Sequence, residues 1–188
     1  MRIIDSNGFP CGRSRRHVLK GLAATAAVAS VSPSSLLAGG LDARVLAFVH
    51  THSRERLSAT YFAGGSYRPE GLAALSGFMR DHRTGDEHAI DPSLYDILFD
   101  LRAALGSAAP FSVISAYRSP RTNAMLRGRS RGVAAGSLHL EGRAIDLRLD
   151  GVDCMTLRDA AIRLRRGGVG YYASSDFVHL DTGRFRTW

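Results

Sequence analysis

The chain has 188 residues and a formal net charge of +8, and Lys20 is its only lysine. This length suits one domain with a hydrophobic core. The first 40 residues carry +4 of the net charge, so the rest of the chain carries an ordinary +4, which weakens the case for nucleic acid as a partner.

The amino-terminal segment has the pattern of an export signal. A twin-arginine motif at Ser14–Lys20 precedes the alanine-rich run Gly21–Val31 and small residues near Ala38. Such a run is too short for a stable membrane span, and twin-arginine signals direct folded proteins across the membrane. We therefore expect residues 1–38 to be a twin-arginine (Tat) signal peptide and residues 39–188 to be a periplasmic domain without an integral membrane span. The alternative is a basic, disordered tail.

The two cysteines predict no disulfide. Cys11 lies in the predicted signal and Cys154 in the domain, so a processed chain has one cysteine. We expect Cys154 to be a small buried hydrophobic residue.

The domain begins with a predicted β-hairpin formed by residues 45–49 and 57–62. His50 and His52 follow the first strand and could share a face, which suggests a metal site. No nearby carboxylate completes such a site, so we expect both to be structural or surface groups.

Apolar periodicity predicts the remaining elements. In chain order these are a helix over 71–80, a helix from Asp91 to Gly106, a strand over 111–117, a helix over 122–126, a strand over 143–149, a helix over 153–166, and strands over 169–172 and 177–181. In the last helix, Met155 and Leu157 are predicted to face inward. The charged segment Arg80–Gly85 is interpreted as a solvated helix end, or alternatively as an architectural contact with the next helix.

Potential metal ligands lie on two of these strands. From Arg143 to Leu149 the side chains alternate between an apolar face and a face that carries Asp146. The strand Phe177–Asp181 alternates in the same way and places His179 and Asp181 on one face.

If the two strands are adjacent, Asp146 and His179 point into one cleft, which His139 reaches from the loop before the first strand. Two imidazoles and one carboxylate suit zinc, with a fourth position open for water. Asp176, three residues before His179, would then stand near that water as a general base. The pattern predicts one Zn²⁺ per chain.

These residues belong to a longer series of motifs. The series comprises Arg80–Gly85, Tyr117–Pro120, Ser137–His139, Gly167–Tyr172 and Phe177–Gly183. From about Leu46 to Trp188 the chain resembles the zinc peptidase superfamily of D-Ala-D-Ala peptidases, lysostaphin-like enzymes and the hedgehog fold. Within it, the chain is most similar to exported murein endopeptidases of Gram-negative bacteria. The resemblance implies an α+β fold in which a small antiparallel sheet carries the zinc site and packs with helices.

The resemblance also implies roles for further residues. Arg118 would stabilise the negative oxygen that develops on the peptide carbonyl, although it could also be an exposed arginine at a strand end. Ser137 would support the site by hydrogen bonding and is a candidate substrate contact. Asp181 competes with Asp176 as the base, and the spacing used in the family favours Asp176. Ala116 stands where family members usually have glycine, which is a mild departure.

Resemblance and predicted export together imply a zinc metallopeptidase of the periplasm. It would be a murein endopeptidase that hydrolyses peptide cross-links of peptidoglycan during cell-wall growth or remodelling, with the stem peptides as its partners. The Arg127–Arg131 loop either attracts these carboxylate-rich peptides or is simply solvated. A D-Ala-D-Ala-type carboxypeptidase and a non-catalytic zinc- or murein-binding module are the alternatives. The bond cut and the oligomeric state stay open.

Overall fold

The computed structural model describes residues 42–129 and 133–188. The predicted signal peptide, Cys11 and the residues 130–132 lie outside the described residues. The strands are β1 (Arg44–His50), β2 (Arg56–Ala63), β3 (Ser66–Tyr67), β4 (Phe111–Ser115), β5 (Ala144–Leu149), β6 (Gly168–Tyr172), β7 (Phe177–Asp181) and β8 (Arg186–Thr187). The helices are α1 (Pro69–Phe78), α2 (Pro92–Ala104), α3 (Pro120–Arg129) and α4 (Cys154–Leu164), with short 3-10 helices at Leu138–Glu141 and Ala173–Ser175.

The described strands form one sheet in the order β3-β2-β1-β4-β5-β7-β6-β8. The predicted hairpin is present as the antiparallel pair β1–β2. The pairs β1–β4 and β6–β8 are parallel, and the others are antiparallel. The predicted α+β class is confirmed, and the sheet is larger than expected and mixed. The long connection through α1 and α2 allows β4 to return in the same direction as β1.

Aspartate caps begin two of the helices. The Asp91 carboxylate accepts a hydrogen bond from Ser93 N at the start of α2, where Pro92 occupies the first turn. The Asp153 carboxylate accepts from Thr156 N at the start of α4. These caps satisfy backbone N–H groups that have no partner within the helix.

The core lies between the helices and the sheet. Its fully buried members from both layers include Leu46, Phe48, Leu98, Leu101, Phe111, Val113, Ile145, Leu147, Leu157 and Val178. Cys154 is buried, as predicted. Met155 is 54% exposed, so its predicted inward orientation is wrong; the buried face of α4 runs through Leu157, Ala160 and Ala161 instead.

Strand β5 lies in the middle of the sheet, between β4 and β7. Its alternation predicted a single buried face, but Ala144, Asp146, Ile145 and Leu147 are all buried. One face packs against the core, and the other carries Asp146 into a second buried region. The centre of the sheet is therefore where the candidate site is built.

Helix α3 extends further than predicted, to Arg129, so the first residues of the predicted Arg127–Arg131 loop are helical. No helix among residues 42–129 and 133–188 combines the length and the apolar content needed to cross a membrane.

Candidate metal centre

The three predicted ligands come together. Asp146 Oδ1 lies 3.2 Å from His139 Nε2 and 2.8 Å from His179 Nδ1, and these two imidazole nitrogens are 3.2 Å apart. A tetrahedral zinc ion with bonds of about 2.0–2.1 Å separates its ligand atoms by about 3.3 Å. The spacing fits a metal ion, and within the described part of the chain no other group of histidine, cysteine or acidic side chains meets the same criterion.

The antiparallel register of β5 and β7 makes Asp146 and His179 direct neighbours across the two strands. His139 comes from the 3-10 helix that precedes β5. Ser137 caps this helix, and its Oγ accepts a hydrogen bond from His139 N. Two strands and one capped turn therefore supply the ligand set.

Gly142 joins that turn to β5. It adopts a φ of +65°, and a Cβ atom placed there would lie 2.2 Å from Ala89 O. Glycine is required here both by the left-handed backbone and by the close approach of the neighbouring chain.

Hydrogen bonds determine which nitrogen of each imidazole faces the centre. His139 Nδ1 lies 2.6 Å from Ala116 O, to which it can only donate, so its Nε2 lone pair faces Asp146. His179 Nε2 lies 3.0 Å from Asp181 Oδ2, and donation to that carboxylate leaves Nδ1 free for the centre. Outer partners of this kind orient metal-binding histidines.

The electrostatics of His139 and Asp146 favour the protonation states that a metal site needs. Burial lowers the pKa of His139, which favours the neutral imidazole that a metal needs. Burial raises the pKa of Asp146, but the charges and hydrogen bonds of the two histidines outweigh it, and the net pKa is lowered. Burial lowers the pKa of His179, whereas hydrogen bonds to Asp146 and Asp181 raise it, and the net pKa is raised. Asp146 is therefore an ionised ligand candidate.

Asp181 is committed to contacts within the fold. Besides His179, it accepts hydrogen bonds from Gly168 N, Gly183 N and two nitrogens of Arg186. Its side chain is fully buried. These contacts suit a residue that orients His179 rather than one that exchanges a proton with a bound water.

The three ligands line a cavity of about 600 Å³, and Ser137 and Arg118 line it as well. Arg118 Nη2 lies 2.6 Å from Asp146 Oδ2, and Nε donates to Ser115 Oγ. Its side chain is 12% exposed, which excludes the interpretation as an exposed surface arginine. Among residues 42–129 and 133–188, its Nη1 has no hydrogen-bond partner, so this nitrogen can donate to a ligand in the cavity.

One wall of the cavity is aromatic. Tyr172 stacks on Phe177, with ring centroids 4.6 Å apart, and Trp188 Nε1 donates to the Tyr172 hydroxyl. The Trp188 ring also packs against His179. A cavity with a polar floor and an apolar wall suits a ligand that has both charged and apolar parts.

Asp176 is not among the residues that line this cavity, although its neighbours Ser175 and Phe177 are. Its backbone has a φ of +48°, its side chain is 68% exposed, and Oδ2 lies 3.8 Å from Arg148 Nε. The structure therefore does not bring the predicted base to the three ligands. Its role stays a prediction that rests on the three-residue spacing to His179.

Sequence reasoning did not find Trp188 and Arg186. Arg186 lies in the short strand β8 and Trp188 directly follows it, and a strand of two residues carries no periodic pattern. The sequence also did not predict that Asp181 orients His179, and Asp181 was considered only as a competing base. The i, i+2 spacing, which places both residues on one face of the strand, was the available signal.

His50 and His52 take no part in this centre. His50 is buried, and its Nδ1 accepts hydrogen bonds from the backbone of His52 and Ser53. His52 stacks on His82, with centroids 4.3 Å apart. Their part in the fold is packing and turn formation.

Comparison with known proteins identifies the family. The family model described as peptidoglycan L,D-endopeptidase MepK matches residues 39–188. The chain belongs to this family. It is 41% identical over 180 residues to the peptidoglycan L,D-endopeptidase MepK of Escherichia coli (strain K12), a match that covers 96% of this chain and 98% of that protein. The MepK protein of Shigella flexneri matches to the same extent.

The probable peptidoglycan L,D-endopeptidase MepK of Haemophilus influenzae is 43% identical over 162 residues, covering 85% of this chain and 87% of that protein. The predicted resemblance to murein endopeptidases is thereby confirmed, as is the prediction of a peptidase.

Proposed function

We propose that this protein is a zinc-dependent murein endopeptidase that cleaves L,D peptide cross-links of peptidoglycan during cell-wall growth or remodelling. The observation that carries the proposal is the convergence of His139, Asp146 and His179 in the lining of a cavity, in a chain of the MepK family. The names of the relatives support the L,D bond over the bond cut by a D-Ala-D-Ala carboxypeptidase.

One Zn²⁺ per chain is the proposed cofactor. His139 Nε2, Asp146 and His179 Nδ1 would hold it, and when bound it would activate water and polarise the scissile carbonyl. Zn²⁺ is intermediate between hard and soft metal ions, so it suits this set of two nitrogen ligands and one oxygen ligand. Among the described residues, Asp146 and Asp181 are the carboxylates that line the cavity, and both are ionised by their surroundings.

The remaining roles belong to side chains around the ligands. Arg118 would donate from Nη1 to the carbonyl oxygen as negative charge develops on it, since a guanidinium keeps its charge and its geometry. Asp176 is the proposed proton acceptor, on the basis of its spacing to His179. Ser137, which lines the cavity and caps the turn of His139, is the proposed polar contact to the substrate.

We also propose that residues 1–38 are a Tat signal peptide and that residues 39–188 act in the periplasm. The twin-arginine motif Ser14–Lys20 and the short apolar run after it support this proposal. Peptidoglycan, the substrate class named for the relatives, is located outside the cytoplasmic membrane, which agrees with export.

The deciding experiment uses defined muropeptide dimers with either an L,D or a D,D cross-link. The protein lacking residues 1–38 is incubated with each dimer, and mass spectrometry follows the products with chelator, and with zinc restored. We expect the L,D dimer to become monomers, chelator to abolish the reaction and zinc to restore it. His139→Ala, the matched control, should bind no zinc and leave the dimer intact.

Other results of this experiment point elsewhere. Loss of a terminal alanine alone would make the protein a carboxypeptidase. Bound zinc with no product from any dimer would indicate a binding module. Full zinc content in His139→Ala would overturn the ligand assignment.

A further inference from the structure

In the segment that follows α1, whose charges indicate a solvated helix end, Arg83 is exposed, but Asp81 is buried against the loop that carries Arg118. Asp81 is 1% exposed. Its Oδ2 accepts hydrogen bonds from Ser119 N at 2.9 Å and from Ser119 Oγ at 2.7 Å. Its Oδ1 accepts from Arg83 N at 2.9 Å. A charged residue this deeply buried is found where it is paired with several donors.

The backbone around Arg118 is fixed by other segments at three successive residues. Each N–H donates to a group on a distant part of the chain: Tyr117 N to Met79 O at 3.1 Å, Arg118 N to His139 O at 3.1 Å, and Ser119 N to Asp81 Oδ2 at 2.9 Å. Two of these three acceptors belong to the segment Met79–Asp81, and the third belongs to a candidate metal ligand. The position of Arg118 relative to the ligands therefore depends on both.

The same carboxylate also supports the start of α3. Ser119 Oγ donates to Asp81 and accepts from Thr122 N at 3.2 Å, which is the geometry of an amino-terminal cap. Negative charge at this end of a helix is stabilised by the helix dipole. Asp81 thus holds the residue directly after Arg118 through its backbone, its side chain and the helix that follows.

We propose that Asp81 is a positioning residue for Arg118: it fixes the loop so that the guanidinium reaches both Asp146 and the cavity. This inference rests on the proposed function of Arg118 in the reaction. The Asp81 carboxylate accepts its hydrogen bonds from Ser119 and Arg83, which do not line the cavity, so its effect should appear in the chemical step and not in zinc binding. A displacement of about 1 Å at a catalytic group can reduce a rate on the order of 100-fold.

The first test is Asp81→Asn, with the kinetics of L,D-dimer cleavage and the zinc content as readouts. We expect kcat to fall on the order of 10- to 100-fold while KM and zinc content change little. Asp96→Asn is the matched control, because Asp96 is also a largely buried carboxylate that accepts from Arg44, Tyr61 and Tyr67, but at the other end of the sheet. Its kcat should stay at the wild-type value.

The second test asks whether Asp81 acts through Arg118. In the background Arg118→Ala, adding Asp81→Asn should lower kcat no further, because the group that it positions is already absent. If Asp81→Asn lowers kcat by the same factor with Arg118 present and with Arg118→Ala, the proposal is overturned. A general loss of structure would act in this way, because it does not depend on Arg118.

A third readout does not depend on activity. Amide hydrogen exchange should become faster in residues 117–123 of Asp81→Asn and stay unchanged in β5 and β7. Unchanged exchange in residues 117–123 would overturn the proposal. If wild type cleaves no dimer but the exchange result is as expected, the proposed function fails while Asp81 still fixes the Arg118 loop.

Ser119→Ala covers the case in which Asp81→Asn does not fold. It removes one donor to Asp81 and the cap of α3, but it keeps the bond from the Ser119 backbone. A smaller fall in kcat with faster exchange at residues 117–123 is expected. No change in either quantity would overturn the proposal.

Discussion

Outside the three candidate ligands, Asp181 influences the metal centre through its hydrogen bond with His179. It accepts the hydrogen bond from His179 Nε2 and is held in turn by Arg186. Asp181→Asn keeps the shape but removes the charge, so we expect zinc affinity to fall about 10- to 100-fold, as is typical for outer partners of metal-binding histidines. Competition with a chromophoric chelator measures this. Asp159→Asn, at a carboxylate that is about half exposed and pairs with Arg158, is the control.

Unchanged zinc affinity in Asp181→Asn would mean that the orientation of His179 does not depend on this carboxylate. The aromatic contact with Trp188 would then be the restraint to examine, because the centroid of that ring lies 5.2 Å from the centroid of the imidazole.

The proposed base, Asp176, can be tested without disturbing the backbone. Its φ of +48° lies in the left-handed region, which asparagine tolerates better than most residues. If Asp176 accepts the proton, Asp176→Asn should lower kcat by about 10²- to 10⁴-fold and leave zinc bound. Wild-type activity in this variant would remove Asp176 from the mechanism, in agreement with its position outside the cavity lining.

The turn from the 3-10 helix into β5 is constrained both by its backbone conformation and by a neighbouring segment. Gly142→Ala combines a positive φ with a Cβ that would lie 2.2 Å from Ala89 O. A left-handed backbone at a residue other than glycine costs roughly 1 kcal/mol by itself. Because the close contact adds to this cost, we expect the free energy of unfolding to fall by well above that amount. Urea unfolding measures it. Gly151→Ala is the control, because its φ is +78° but its Cβ would meet nothing within 4 Å.

An equal loss of stability in Gly142→Ala and Gly151→Ala would show that the backbone conformation alone matters. A larger loss at Gly142 with reduced zinc affinity would show that the contact with Ala89 also positions His139.

Two histidines with lowered pKa values, the buried His50 and the half-buried His82, make the fold as a whole sensitive to acid. Burial lowers the pKa of His50, and burial together with Arg83 and the neighbouring histidines lowers that of His82 to about 4. An unfolded histidine has a pKa of about 6.5, so below that pH the unfolded chain binds more protons than the folded chain does. The free energy of unfolding should therefore fall as the pH drops from about 6.5 toward 4.

The Tm of the metal-free protein at pH 7.5 and pH 5 measures this effect. His82→Phe keeps a flat ring against His52 but cannot titrate, so its Tm should fall less between the two pH values. A fall as large as in wild type would assign the acid sensitivity to other groups, such as His139, whose pKa burial also lowers.

Local features of the fold could be predicted from the sequence. Apolar alternation predicted β5 and β7, the pair Asp91–Pro92 predicted the start of α2, and the motifs predicted the murein endopeptidase family. These features depend on side-chain periodicity, capping and the order of residues, which are properties of neighbours along the chain.

Contacts between distant segments could not be predicted in this way. The burial of Asp81 beneath Ser119 depends on contacts between residues that are 38 positions apart. The placement of Trp188 beside His179 and the position of Asp176 outside the cavity lining depend on side-chain directions at strand ends. Charge density in Arg80–Gly85 indicated solvent exposure, because a sequence shows which groups are charged but not which donors surround them. The physical reason is that burial of a charge is favourable only when distant donors pair with it, and the folded chain alone supplies those donors.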